Sequence, residues 1–161
     1  MTFAKGNRKD NKHYWLTPPE IFDELNKEFD FDFDPCPYPK PEDFDGIEAE
    51  WGESNYVNPP FNGPTIWAKK AIREFKKGKR VVFVYPIDKW IHKMIEAGAI
   101  IRNLGDIHWQ AIEDGSKGPG TGRHVACFIL EPRGFKRTTS KRLNGPNTQP
   151  NIKTNEQKKL F

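Results

Sequence analysis

Tyr56-Val57-Asn58-Pro59-Pro60-Phe61 reads as a short strand that runs into two prolines. Ser54 to Val57 carries the strand. Pro59 and Pro60 lack a backbone donor and lock φ, so the strand stops there. Pro59 also pushes Asn58 out of the α region. A side-chain amide is thereby held at a strand end, with an aromatic ring just past it. Such an arrangement can grip a planar molecule by its edge and by its face. The Asn58 carbonyl oxygen and a neighbouring main-chain carbonyl accept hydrogens from an amino group. The Phe61 ring stacks on a heterocycle, a contact worth about 1–3 kcal/mol per base. Read without a ligand, the same residues make a proline-punctuated turn.

Downstream, Asn62-Gly63-Pro64 turns the chain, and Thr65 to Lys77 reads as a helix. Trp67, Ala71 and Phe75 form its apolar stripe, widened by Ala68 and Ile72. Lys69, Lys70, Arg73, Lys76 and Lys77 make the other face basic and solvent-exposed, and Gly78 stops the helix. Val81-Val82-Phe83-Val84-Tyr85 is a continuous apolar run, expected to be a buried strand. Pro86 ends it, and Asp88, Lys89 and Trp90 follow at its carboxyl end. In open α/β sheets that edge faces the ligand. A further helix is expected from Asp88 to Ala97, with Trp90 and His92 open to either a pocket or a core role. Ile100 to Leu104 and Asp106 to Ala111 read as short strands or one strand bulged at Gly105. Residues 115–123 form a glycine-rich hairpin loop, whose Lys117 and Arg123 are candidates for nucleic-acid contact. His124 to Leu130 is the last strand.

Upstream, Thr17 can cap a helix that starts at Pro18, and Glu20 completes a capping box. Ile21, Phe22, Leu25 and Phe29 recur at helical spacing. From Phe29 to Pro35 the chain alternates, with Phe29, Phe31 and Phe33 on one side and Asp30, Asp32 and Asp34 on the other. That period predicts a half-buried strand with Asp30 and Asp32 in solvent. Asp34 differs, because it sits at the strand's carboxyl end before Pro35-Cys36-Pro37. Residues 38–53 form an acidic loop whose carboxylates read mostly as solvated, while one of Asp43, Asp45 or Glu48 can reach the ribose hydroxyls of a nucleoside cofactor.

The 161 residues suit one domain with one core. We divide the chain into a basic flexible arm (1–13), a central α/β domain (14–131) and a basic, disordered tail (132–161). The tail carries a formal surplus of seven positive charges, since Glu156 is its only acid. With a net charge of +4 over the whole chain, a polyanionic partner is favoured. No apolar run is long enough to span a bilayer, and the N-terminus is too polar for a secretory signal. Cys36 and Cys127 lie far apart and make no metal-ligand pattern, so we expect free thiols, no metal and a cytoplasmic protein.

Taken in order, Trp15-Leu16-Thr17-Pro18, Phe31-Asp32-Phe33-Asp34-Pro35-Cys36, Tyr56-Val57-Asn58-Pro59-Pro60-Phe61 and Val82-Phe83-Val84-Tyr85-Pro86 with Asp88 and Trp90 form a set. It resembles the small phage-type DNA adenine-N6 methyltransferases over residues 14–131. The resemblance implies a compact Rossmann-like sheet with flanking helices, S-adenosyl-L-methionine as cofactor, and a flipped adenine in duplex DNA as substrate. It implies Asn58, Pro59, Pro60 and Phe61 as the catalytic element. It places the cofactor with Trp15, Thr17 and Pro18, which close over the methyl donor in such enzymes, and with Asp34, Pro35 and Cys36. Asp34 is the candidate partner of the sulfonium or amino-acid end. Phe61, Asp88, Lys89, Trp90, Lys117 and Arg123 are the candidate substrate contacts. The chain departs from the general methyltransferase pattern in two respects. No Gly-x-Gly loop follows the first strand, and only about twenty residues separate Asp34 from Asn58, too few for a usual pair of βα units, so the acid that would hold the cofactor ribose is not placed. Asn-Pro-Pro-aromatic elements also serve methylation of RNA adenine, cytosine N4 and protein glutamine. A non-catalytic nucleic-acid binder on a decayed scaffold is the alternative from another class.

Overall fold

The computed structural model describes residues 15–60, 63–111, 117–120 and 124–143. In chain order the elements are β1 (Trp15–Leu16), α1 (Pro19–Phe29), β2 (Ser54–Val57), α2 (Pro64–Lys76) and β3 (Arg80–Pro86). Then come α3 (Ile91–Glu96), β4 (Ile100–Gly105), β5 (His108–Ala111), β6 (Lys117–Gly120) and β7 (Val125–Leu130). The main sheet has the order β2-β3-β7-β4. β2 and β3 are parallel, joined through α2, and β7 runs antiparallel to both β3 and β4. A second sheet, β1-β5-β6, is antiparallel.

Side-chain alternation along β3 and β7 divides the interior into two layers. Val82, Val84, Val125, Cys127 and Ile129 meet Phe22, Leu25 and Phe29 of α1, with Trp109 of the small sheet. Val81, Phe83, Tyr85, Ala126, Phe128 and Leu130 meet α2 and α3 through Ala68, Ala71 and Met94. The main sheet is therefore covered on both faces, which is why its central strands are apolar throughout.

Several local expectations are corrected. Trp15-Leu16, just before the expected helix, pairs with β5 as a strand. Pro18 occupies the N-cap of α1 and Pro19 the first turn, with no side-chain cap. The Thr17 hydroxyl is hydrogen-bonded to the Tyr56 hydroxyl instead, so no capping box forms. Phe29 to Pro35 is not a strand. Phe29 closes α1, Asp30 turns the chain at φ 50°, and only Phe33 bridges, in parallel, to Asn55. After that turn Phe31 and Phe33 pack into opposite layers. Lys117–Gly120, expected in a hairpin loop, pairs with β5. The helix expected from Asp88 is the shorter α3.

Asp30 and Asp32 are half-buried and held by protein partners instead of facing solvent freely. Asp32 accepts from the backbone N–H groups of Ser54 and Glu53 at 2.9 and 3.2 Å, tying the turn to β2. Asp30 pairs with Arg137 at 2.7 Å and Arg142 at 2.9 Å. Both arginines belong to residues 132–143, which lie as a strap across the α1 side. Thr138 donates to Glu53 from its N–H at 2.6 Å and from its hydroxyl, and these bonds hold Glu53 below the usual carboxylate range. Arg80 stacks between the Phe29 and Phe135 rings at 5.4 and 4.5 Å. Leu143 is buried in the α1 layer. Its N–H donates to Phe31 O at 2.8 Å, and Asn26 donates to its carbonyl at 2.9 Å. The expected disordered tail therefore begins no earlier than residue 144. The remainder of the tail and the 1–13 arm lie outside the described residues.

The basic face of α2 is also not wholly exposed. Lys70 is buried with Glu74, at 2.9 Å, and Lys77 and Lys79 converge on the same carboxylate at 3.0 and 2.6 Å. Burial alone would raise the Glu74 carboxyl, but hydrogen bonds from Lys79, Lys70 and Lys77 hold it at about 2. A carboxyl depressed in the folded state stabilises the fold above its unfolded value and loses that contribution as pH falls towards 2. Glu74→Ala strands Lys70 in the interior and is expected to cost about 3–5 kcal/mol. Urea denaturation between pH 7 and pH 3 checks both statements: the wild type loses stability on acidification, and the variant starts lower and loses less.

Candidate functional site

Parallel register places the candidate residues together. Phe33 lies opposite Asn55, and Tyr56 N–H donates to Phe33 O at 3.0 Å. Val57 lies opposite Phe83. The chain therefore leaves three neighbouring rungs at one edge, as Asp34-Pro35-Cys36, Asn58-Pro59-Pro60 and Tyr85-Pro86. These are carboxyl ends, where a crevice in an α/β sheet takes a ligand.

Tyr56 is the residue that sequence reading passed over. It is buried, with Phe22 edge-on at 4.9 Å and Phe31 at 5.4 Å. Its hydroxyl meets the buried Thr17 hydroxyl, which anchors the segment before α1 to the strand before Asn58. Burial raises the Tyr56 hydroxyl above its ordinary range, and the Asp34 charge adds to this. The signal was present: an aromatic hydroxyl two residues before Asn58 shares its strand face.

Asp34 is only 3% exposed. Among the described residues its carboxyl accepts one hydrogen bond, from Cys36 N–H at 2.8 Å. Burial pushes its pKa up to about 8, against which that amide acts. Burial and the Asp34 charge also lift the Cys36 thiol well above its ordinary value, which favours the neutral thiol there. A buried carboxyl with one neutral partner is a site that a cation completes. The following loop closes tightly on it. A Cβ at Gly46 would lie 1.9 Å from Pro35 O, so only glycine lets the 38–53 loop pass there. That loop is fastened by Trp51, which donates to Gly46 O at 2.7 Å, and by Lys70, which donates to Ala49 O at 3.0 Å.

Other candidates separate. Pro59 is buried, and Asn58 and Pro60 are half-buried. Thr17 and Pro18 are buried behind the edge; Trp15 is described in backbone only, within β1. Trp90 is a core residue, packed against Phe83, Tyr85 and Phe128 at 5.0–5.4 Å. Asp88 and Lys89 are exposed, and so is His92, whose Nδ1 lies 2.8 Å from Lys89 O. Asp43, Asp45 and Glu48 are exposed, and Asp45 accepts from Ile47 N–H at 2.8 Å to cap a turn. Lys117 lies in β6 with its side chain undescribed, and Phe61 and Arg123 fall outside the described residues. A cleft of about 780 Å³ lies at the opposite, amino end of β2, between Trp51 and the strap. It holds none of the candidates. Both cysteines are free, and no described helix is long and apolar enough to cross a membrane.

A family model described as DNA N-6-adenine-methyltransferase (Dam) matches residues 5–130, most of the chain. No curated protein and no solved structure matches it.

Proposed function

The chain belongs to the DNA N-6-adenine-methyltransferase (Dam) family, and from that premise we propose that it methylates the N6 amino group of adenine in duplex DNA, using S-adenosyl-L-methionine. The observation that carries this reading is that Asp34 and Asn58-Pro59-Pro60 leave neighbouring strand ends at one sheet edge, through the parallel pairing of Phe33 with Asn55. We read the main sheet, with its parallel β2-α2-β3 unit and helices on both faces, as Rossmann-like.

The residues present fit the cofactor. Asp34 supplies a buried carboxylate for a sulfonium or ammonium charge, and the Thr17 hydroxyl is tied to Tyr56, two residues before Asn58. S-adenosyl-L-methionine supplies an electrophilic methyl group. The adenine amino nitrogen is a weak nucleophile, because its lone pair is delocalised into the ring. The Asn58 side-chain carbonyl and the Pro59 main-chain carbonyl accept its two hydrogens. That favours a pyramidal nitrogen with a localised lone pair. The bonds strengthen as the nitrogen gains positive charge, so they favour the transition state over the ground state. Two prolines fix the acceptors before substrate arrives, which supplies positioning. Inside a duplex the amino group cannot adopt this geometry, so the base is flipped, and Phe61 stacks on it.

Two duplexes test the substrate. Label from S-adenosyl-L-methionine should enter one that contains adenine and not one built of G·C pairs alone. Equal labelling of both would place the chemistry at cytosine N4.

The raised Asp34 pKa gives a pH signature. Below about pH 8 the carboxyl is protonated in the free protein, and binding a cation expels that proton. Cofactor affinity is therefore expected to rise with pH up to about 8, with proton release below it. Titration calorimetry in two buffers of different ionisation enthalpy reads the proton directly. Asp34→Asn should weaken binding about 10-fold or more and abolish the release. A carboxyl raised in the folded state stabilises the fold most below its unfolded value and loses that contribution as pH rises to about 8. The same variant is thus expected to be the more stable protein at pH 9.

A further inference from the structure

Between α2 and α3 runs a groove of about 470 Å³. Lys69, Arg73 and Lys76 line one wall and Lys93 the other, with Glu96 the one carboxylate, over a floor of Ile72 and Ala97. The sequence alone left this face as a solvated surface, but its cations are sorted. Lys70, Lys77 and Lys79 are consumed by Glu74, and Arg80, Arg102, Arg137 and Arg142 have their own acids. The four groove cations make no ion pair with any described residue. Three of them lie along residues 69–76, a run of about 10 Å of helix, and one strand of a duplex carries a phosphate every 3.4 Å or so. Both helices start just after the loops that form the site edge, α2 after Pro60 and α3 after Pro86, so the groove leads away from that edge.

We infer that the groove between α2 and α3 seats the phosphate backbone of duplex DNA flanking the flipped base, an inference that rests on DNA being the substrate. Its contacts position the duplex and carry no sequence information. Chemistry at the edge needs the target held there, and the groove gathers four cations that form no ion pair with a described residue in one concave surface.

The test compares the full-length triple variant Lys69→Gln, Arg73→Gln, Lys76→Gln with a control of equal charge change, Lys27→Gln, Arg133→Gln, Lys136→Gln, at exposed positions elsewhere. Binding to a fluorescent duplex is followed by anisotropy from 50 to 200 mM salt. The groove variant should bind about 10–100-fold more weakly at 50 mM, and its salt slope should fall by about 2–3, since each phosphate contact contributes about one. The control should change far less. Glu96→Gln should bind more tightly than wild type. Circular dichroism melting confirms that every variant is folded. Equal losses in groove and control variants would overturn the inference, as would a groove variant that binds polyglutamate poorly but DNA normally. Methyl transfer separates this from the proposed reaction. If wild type methylates DNA and the groove variant keeps its KM for DNA, the groove assignment fails and the reaction stands. If wild type methylates nothing while the groove variant still loses DNA binding, the reaction fails and the groove stands.

Discussion

Asn58→Ala is expected to reduce methyl transfer by about 10²–10³-fold or more, the scale seen when one preorganised polar contact to a transition state is removed. Asn58 stands at the strand end with Pro59 buried behind it, so truncating its side chain leaves the backbone corner intact. Cofactor affinity, which the proposal assigns to Asp34, should stay within about threefold of wild type. Asn58→Asp keeps an acceptor oxygen but puts a charge in place of an amide, so it should retain more activity than alanine while altering the pH profile. Phe61→Ala should act differently, weakening capture of the flipped base. With 2-aminopurine at the target position, the wild type should raise fluorescence on binding and Phe61→Ala should raise it less. Wild-type turnover by Asn58→Ala would remove the tetrapeptide from the mechanism.

Deletion of residues 132–161 is expected to prevent stable folding, although the family match ends at residue 130. The strap closes the α1 layer with Leu143, 4% exposed, and caps the turn after α1 from both sides of Asp30. Removing it would leave Asp30, at φ 50°, without its two arginines and Glu53 without Thr138. It would also uncover Phe31. Leu143→Ala alone should cost about 2–5 kcal/mol, as for other buried leucines. A chain ending at Leu143 should melt like the full-length protein, whereas one ending at Glu131 should show no cooperative transition by circular dichroism. A cooperative, wild-type-like melt for the shorter chain would show that the strap is dispensable.

Local pattern carried part of this structure into the sequence. The apolar runs Val81–Tyr85 and Val125–Leu130 read as strands, and Ile21, Phe22, Leu25 and Phe29 as one helix face, and both readings hold. The double proline after Val57 announced its corner. Distant partners explain the failures. Asp30 and Asp32 looked like solvent-facing residues of an alternating strand, because Arg137 and Arg142, which pair with Asp30, and Thr139, whose hydroxyl donates to Asp32 at 3.2 Å, lie about a hundred positions later. The strap looked disordered because it is basic and almost without apolar residues; its single leucine and its salt bridges to a turn of matching charge hold it. Thr17 read as a helix cap because nothing local reveals that Tyr56 competes for its hydroxyl. At the site, Asn58-Pro59-Pro60 and Asp34 were legible one by one. Their adjacency depends on a parallel pairing across some twenty residues, which no periodicity encodes.

The central claim is most directly tested by incubating the full-length protein with unmethylated duplex DNA and methyl-labelled S-adenosyl-L-methionine, then digesting to nucleosides and separating them by chromatography. The reading predicts label in N6-methyldeoxyadenosine and in no other nucleoside. Label absent from every base, with cofactor binding intact, would contradict it.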